Sequence, residues 1–378
     1  MRVCSPHCGI DPETTSGGET YERELLRHLA AGGMVIDILL ARHKRHPENV
    51  PNWMIHRMPI GRGLRWPVAM VLLPPVIHRV YRETRFDLLR AHSLRYIGPA
   101  ALIARRRYRL DVPIVAHHHH LDPSWLNPVI EGRVMRAVER VVVGSEFGRR
   151  QAAAALGIPL DKFVVVHYGV DRRFQRASKP EALVRRYSLE GGPVVLFLGG
   201  LKARKNLFFL LDVWHEVVRA RPDARLVVAG SGPLLGSLRR RAAKLGDVET
   251  VVFTGYVPER EKVDHYNLAD VLFFPSAMEG FGLTVAEAMS CELPVVVSDR
   301  GALPEVVVNG DGGFLCGPAD REGFVRNLLL LLADPMLRRK FGAANAERAE
   351  RLFRWDVCAS ATAKVYEEVV EAWRRRGR

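Results

Sequence analysis

Two carboxylates, Glu279 and Glu287, flank seven residues in the stretch Glu279-Gly280-Phe281-Gly282-Leu283-Thr284-Val285-Ala286-Glu287. The apolar run Val271–Phe274 just before it reads as a strand. Glu279 therefore falls in the loop at a strand's carboxyl end, where open α/β sheets bind ligands. Gly282 and Leu283 stand where a helix begins and would offer free amides to an anion. Glu287 lies about two turns into that helix, in an otherwise apolar stretch. Its burial is costly unless it meets a partner, and sugar or ribose hydroxyls are such partners. The plainer alternatives are an exposed loop acid for Glu279 and a helix-edge salt bridge for Glu287.

Three other segments have residue types suited to the same kind of ligand. In Leu201-Lys202-Ala203-Arg204-Lys205-Asn206, cations cluster where a helix starts. The helix dipole disfavours them by a few tenths to about 1 kcal/mol each, and a bound diphosphate would remove the conflict; a solvated loop that tolerates the penalty is the alternative. Thr15-Ser16-Gly17-Gly18-Glu19 opens the first helix, and small residues there let amides approach an anion, although Thr15 or Ser16 could simply cap the helix. His117 to His120 follow a strand and precede Asp122. A histidine at a strand end can donate hydrogen bonds to a ligand, or be structural, or bind a metal. Adjacent residues of an extended chain point to opposite faces, so one strand cannot aim all four at one ion.

The elements that must position these groups alternate. Val35–Leu40, Ile114–Ala116, Val141–Val143, Val194–Leu198, Leu226–Ala229, Val271–Phe274 and Val295–Val297 read as strands buried on both faces. Helical segments such as Glu19–Ala31 and Leu207–Ala220 lie between them, which predicts open parallel sheets. A chain of 378 residues exceeds the span of one core and predicts two domains. Arg172–Arg186 is polar and basic, and Gly191-Gly192-Pro193 then precedes a new strand. The boundary is expected near there, giving domains at 1–188 and 189–354. From Trp355 one amphipathic helix is expected to run to the end, 355–378, and to pack back on the first domain.

Charge is uneven. Residues 1–190 hold thirty Lys and Arg against eighteen Asp and Glu, a net +12, while residues 191–378 hold only +2 of the total +14. A basic surface attracts nucleic acid, anionic lipid or phosphorylated substrates; an Arg-rich solvated face is the alternative. No nucleic-acid signature accompanies the charge. Five scattered cysteines make no disulfide framework and suggest a reducing compartment. No signal-peptide pattern follows Met1. The apolar stretch Pro67–Ile77 is too short to span a bilayer and is expected to break at Pro74-Pro75. A cytoplasmic protein is expected, with the basic half at an anionic membrane face.

The run Glu279–Glu287 resembles the E-x7-E motif of retaining glycosyltransferases of family 4. The resemblance covers nearly the whole chain. His167-Tyr168-Gly169-Val170-Asp171 is similar to the family's N-G-V-D segment, and Gly255-Tyr256-Val257-Pro258 and Leu268-Ala269-Asp270 come before the motif as in the family. Gly301, Glu305 and Gly310 follow it at the usual spacing. The resemblance implies a GT-B fold, two Rossmann-like doubly wound domains facing across a cleft. It implies transfer of a hexosyl unit from a UDP-, GDP- or ADP-linked sugar to a glycan or lipid-linked acceptor, with retention.

By position, Gly17 and Gly18 would lie against the donor diphosphate, His119 would contact the transferred sugar near the reacting carbon, and Lys205 would bind the diphosphate. Glu279 would hold sugar hydroxyls, Gly282 and Leu283 would give amides to phosphate, and Glu287 would bind ribose hydroxyls. The chain departs from the family at Gly200, where an Arg is usual; Arg204 or Lys202 is left to supply that charge. The histidine register leaves His118 open beside His119. No D-x-D occurs in the chain, so neither metal nor cofactor is expected. Three rivals stand against this reading: a nucleotide-sugar epimerase of the same fold, a basic nucleic-acid-binding protein, and a dinucleotide oxidoreductase, which would need a G-x-G-x-x-G after the first strand that the chain lacks.

Overall fold

The computed structural model describes residues 1–7, 9–13, 17–58, 66–119 and 127–376. The chain divides into two compact units, Met1–Gly169 with Trp355–Arg378 (unit 1) and Val170–Arg354 (unit 2). Unit 1 holds seven parallel strands: β1 (Arg2–His7), β2 (Val35–Ala41), β3 (Trp53–Met58), β4 (Leu88–Ala91), β5 (Ile114–His118), β6 (Arg140–Val143) and β7 (Phe163–Val165). Their order in the sheet is β3-β2-β1-β4-β5-β6-β7. Unit 2 holds six: β8 (Val194–Leu198), β9 (Arg225–Ala229), β10 (Val251–Gly255), β11 (Val271–Phe274), β12 (Val295–Ser298) and β13 (Gly313–Cys316), in the order β10-β9-β8-β11-β12-β13. Both are doubly wound sheets, in which the chain leaves one central strand toward one edge and the neighbouring central strand toward the other.

The boundary falls at Gly169–Val170, not at 188. The polar, basic composition of Arg172–Arg186 suggested a break at its end, but the segment belongs to unit 2 and packs there. Phe174 is buried against Tyr266. The amide of Ala177 donates to Asn267 Oδ1 at 2.8 Å, and Lys179 pairs with Asp270 at 2.7 Å. Pro74 and Pro75 do not interrupt their segment either. They lie inside the helix Trp66–Thr84, whose Leu73, Val76, Ile77 and Val80 join the unit 1 core. That burial outweighs the hydrogen bonds the two prolines cannot donate. Among the described residues no helix is long and apolar enough to cross a membrane. Cys4, Cys291, Cys316 and Cys358 are buried thiols.

The helix Trp355–Arg376 belongs to unit 1. Its buried Trp355, Cys358, Thr362, Tyr366, Val369 and Val370 repeat at three- and four-residue steps, one apolar stripe. A side chain on Gly169 would meet Trp355 at 2.4 Å, so that glycine admits the helix. Tyr366 then enters a polar knot within the core. Its hydroxyl accepts from Arg90 Nε at 2.9 Å and meets His117 Nε2 at 2.7 Å. Arg90 is fully buried and paired with Glu22 of the helix Gly17–Ala31. The rings of His7 and His92 stack beside them, with centroids 4.3 Å apart.

This knot predicts acid lability. Burial, with Arg90 adding to it and Glu22 opposing, lowers His92 to about 4 from 6.5. His7 and His117 are also lowered by burial. Between those values the unfolded chain binds a proton that the folded chain does not, so stability falls as pH falls, by about 3 kcal/mol for His92 alone. Urea unfolding should give a midpoint that drops from about pH 7 to about pH 5, with a smaller drop in His92→Gln. A midpoint independent of pH over that range would contradict this assignment.

Candidate active site

In unit 2 the winding reverses between β8 and β11. The loops leaving those two strands diverge, and the gap at their carboxyl ends is where such sheets hold ligands. Lys205 follows β8 and Glu279 follows β11. Glycines let the loops after β9 and β12 pack against these two. A side chain at Gly230 would sit 1.9 Å from the Gly199 carbonyl oxygen, and one at Gly232 would sit 2.5 Å from that of Leu201. Gly301, at φ +62°, would place a side chain 2.3 Å from the Glu279 carbonyl oxygen. Both the conformation and the space there require glycine.

The centre of the site is an ion pair. Lys205 Nζ lies 2.6 Å from Glu279 Oε1, and the two residues are only 6% and 7% exposed. Ser276 Oγ donates to the same oxygen at 2.5 Å. Arg204 Nη1 lies 3.2 Å from Oε2 and donates to the Met278 carbonyl at 3.1 Å. The Lys205 ammonium stands 4.5 Å above the Phe274 ring. Burial holds the Lys205 pKa below its ordinary value against the pull of Glu279, and Arg204 and Lys202 add to the lowering. One carboxylate thus serves two cations, with Lys202 exposed nearby, and the site carries an excess of positive charge. Of the two candidates for the charge absent at Gly200, Arg204 is the one that reaches Glu279.

The second carboxylate is held differently. Gly282 takes φ +101° ahead of the helix Leu283–Ser290, which no side chain caps. Glu287, 8% exposed, accepts from the Tyr266 hydroxyl at 2.6 Å and pairs with Lys262 at 3.4 Å. Burial raises its pKa, with Lys262 opposing. A carboxylate has about four acceptor positions, so two remain. Lys262 and Tyr266 were not anticipated. Their i,i+4 spacing on one helix face was the available signal.

In unit 1, Gly17 and Gly18 open the helix Gly17–Ala31, and Glu22 follows one turn later. Strand alternation sends His117 and His119 to one face and His118 to the other. His119 sits just past β5, its Nε2 at 3.1 Å from Glu22 Oε1 and its Nδ1 at 2.6 Å from the Tyr168 hydroxyl. Both ring nitrogens are therefore engaged within unit 1. Glu22, Arg90 and His92, and the contact of Tyr168 with His119, were not legible in the sequence because strand and helix patterns say nothing of buried polar contacts. Thr15, Ser16, His120 and Asp122 lie outside the described residues.

His7, Glu22 and His92 offer ligand atoms within 4.8 Å of one another, yet they do not fit a metal. The imidazole planes are only 22° from parallel, so their in-plane lone pairs run side by side instead of converging, and Glu22 is already paired with Arg90.

Comparison with known proteins bears on both units. Residues 15–174 match Glycosyltransferase Family 4, and residues 181–348 match Glycosyl transferases group 1. D-inositol 3-phosphate glycosyltransferase of Streptomyces avermitilis is 33% identical, over 96% of this chain and 85% of its own length. GDP-mannose-dependent alpha-(1-6)-phosphatidylinositol monomannoside mannosyltransferase of Mycolicibacterium smegmatis is 31% identical, over 78% of this chain and 81% of its own length. The structure of HepE of Anabaena in complex with UDP and glucose is 18% identical, covers 97% of this chain and 99% of its own, and superposes with a TM-score of 0.78. With two doubly wound units and these relatives, the chain belongs to the family 4 glycosyltransferases of the GT-B fold.

Proposed function

We propose that the enzyme transfers a hexosyl unit from a nucleoside-diphosphate sugar to a hydroxyl of a glycan or lipid-linked acceptor, with retention of configuration and without a metal. The observation that carries this reading is the cation-rich Lys205–Glu279–Arg204 cluster at the unit 2 switch point. The names of the relatives support it: one uses GDP-mannose, and a protein of the same fold was solved with UDP and glucose. The +12 of residues 1–190 supports a cytoplasmic enzyme working at an anionic membrane face.

In the reaction the bond from the anomeric carbon to the diphosphate breaks. The acceptor oxygen bonds to that carbon on the same face, and its proton passes to the departing phosphate oxygen. Lys205 turns from Glu279 to the diphosphate, joined by Arg204 and by the amides of Gly282 and Leu283, and these groups take up the developing charge. Glu279 is thereby released to accept from sugar hydroxyls, and the two unused acceptor positions of Glu287 take the ribose hydroxyls. Gly17 and Gly18, with no side chain, leave the start of their helix open to the diphosphate. With both ring nitrogens engaged, His119 meets the sugar through its main-chain carbonyl or through a nitrogen released by Glu22 or Tyr168.

Two outcomes follow for steady-state kinetics with a nucleotide-sugar donor. Lys205→Met should lower kcat by about 10²–10³-fold, the scale for losing one group that stabilises transition-state charge. Glu287→Gln should raise the donor KM roughly tenfold with kcat nearly unchanged, as expected for uniform binding. A Lys205→Met enzyme altered only in KM would contradict the assigned role. Transfer by EDTA-treated enzyme should be undiminished, and NMR of the product should show the donor's anomeric configuration. Activity abolished by EDTA and restored by Mn²⁺ would overturn the metal-free mechanism.

A further inference from the structure

The amino-terminal edge of the unit 1 sheet, opposite the edge that carries His119, has a second charged hollow. A cavity of about 300 Å³ opens where the first residues of β6 and β7 meet the helix Trp355–Arg376. Arg136, Arg140, Lys162 and Arg376 line it together with Glu139 and Glu368. None of these four cations forms a salt bridge among the described residues, whereas Arg2, Arg105 and Arg149 of the same unit each do. Four cations thus face two carboxylates, and Glu139 is shared with Arg105 outside that set. Both its oxygens lie 2.9 Å from Arg105 Nη1, and one also accepts from the Ile114 amide at 2.6 Å. Among the described residues Lys162 Nζ donates to the Arg136 carbonyl at 3.2 Å, Arg136 Nη2 to the Leu156 carbonyl and Arg140 Nη1 to the Glu139 carbonyl at 3.2 Å, so each keeps further donors.

We propose that this hollow binds a phosphate group, carried by a small phosphorylated molecule or by a lipid headgroup. The guanidinium groups of Arg136, Arg140 and Arg376 supply fork-shaped donors that suit phosphate oxygens, and Lys162 adds a point charge. Apolar residues of β7 and of the C-terminal helix form the rest of the wall and suit a short carbon substituent. The electrostatics agree. Partial burial lowers the Lys162 pKa; Glu139 and Asp161 oppose it, and Arg140 and Arg105 add to the lowering. The hollow lies at the opposite end of the unit 1 strands from His119, which suits an anchoring or regulatory site.

The test uses the full chain carrying Lys205→Met, so that the donor site's own grip on phosphate does not contribute. Inorganic phosphate is titrated by calorimetry, and flotation is measured with phosphatidylcholine vesicles with and without phosphatidic acid. The double variant Arg140→Gln/Lys162→Met should bind the effective probe at least tenfold more weakly, about 1.4 kcal/mol. The exposed Arg106→Gln, which removes the same kind of charge elsewhere in unit 1, should bind as before. Arg376→Gln, in the exposed last turn, gives the same reading if the double variant does not fold. Loss with inorganic phosphate identifies a soluble ligand, and loss with phosphatidic acid vesicles alone identifies a headgroup. The site is overturned if neither probe separates the hollow's variants from their parent, or if Arg106→Gln weakens binding equally.

Discussion

A nearly buried ion pair, Lys205 with Glu279, is the constraint around which unit 2 is arranged. Withdrawing both charges from water costs several kcal/mol per ion, and attraction offsets this only where geometry and further hydrogen bonds are good. The fold supplies both. Ser276 donates to the carboxylate, Phe274 lies under the ammonium, and Gly301 lets the Glu279 main chain come close. Arg204 leaves the cluster with more cation than it can neutralise internally. That excess of cation is what motivates the proposal of a phosphate-bearing substrate there.

Winding direction explains why the charges sit there. Only at the switch point do two adjacent strands send their chains apart, leaving room for side chains and ligand together. Unit 1 uses the corresponding place, the carboxyl ends of β1 and β4, for Glu22, Arg90, His7 and His92. Its cluster is closed, however: Arg90 is fully buried and tied to Tyr366 of the C-terminal helix. Unit 1 therefore depends on the last segment of the chain for its core, and the helix that completes it also walls the cationic hollow on the opposite edge.

Apolar runs reveal buried strands, so β2, β5, β6, β8, β9, β11 and β12 were legible in the sequence. β3 was not, because Trp53–Met58 is largely half-exposed and His56 and Arg57 interrupt its apolar run, and β4 carries Arg90 in a stretch of only four residues. The boundary was misplaced because composition cannot tell a solvated linker from polar chain held by Phe174 and Asn267. Glu279, Glu287 and Lys205 were legible from position along the chain. Their partners Ser276, Tyr266 and Lys262 were not, and neither was the engagement of both His119 nitrogens, since these depend on contacts between elements distant in sequence.

On the proposed mechanism Lys205 exchanges Glu279 for the donor's diphosphate. A crystal structure of the chain with UDP bound tests it most directly. In that complex Lys205 Nζ should leave Glu279 Oε1 and lie within hydrogen-bond distance of a phosphate oxygen, with the ribose on Glu287. UDP bound in unit 2 with the Lys205–Glu279 pair still closed, or its phosphates held away from Lys205, would contradict it.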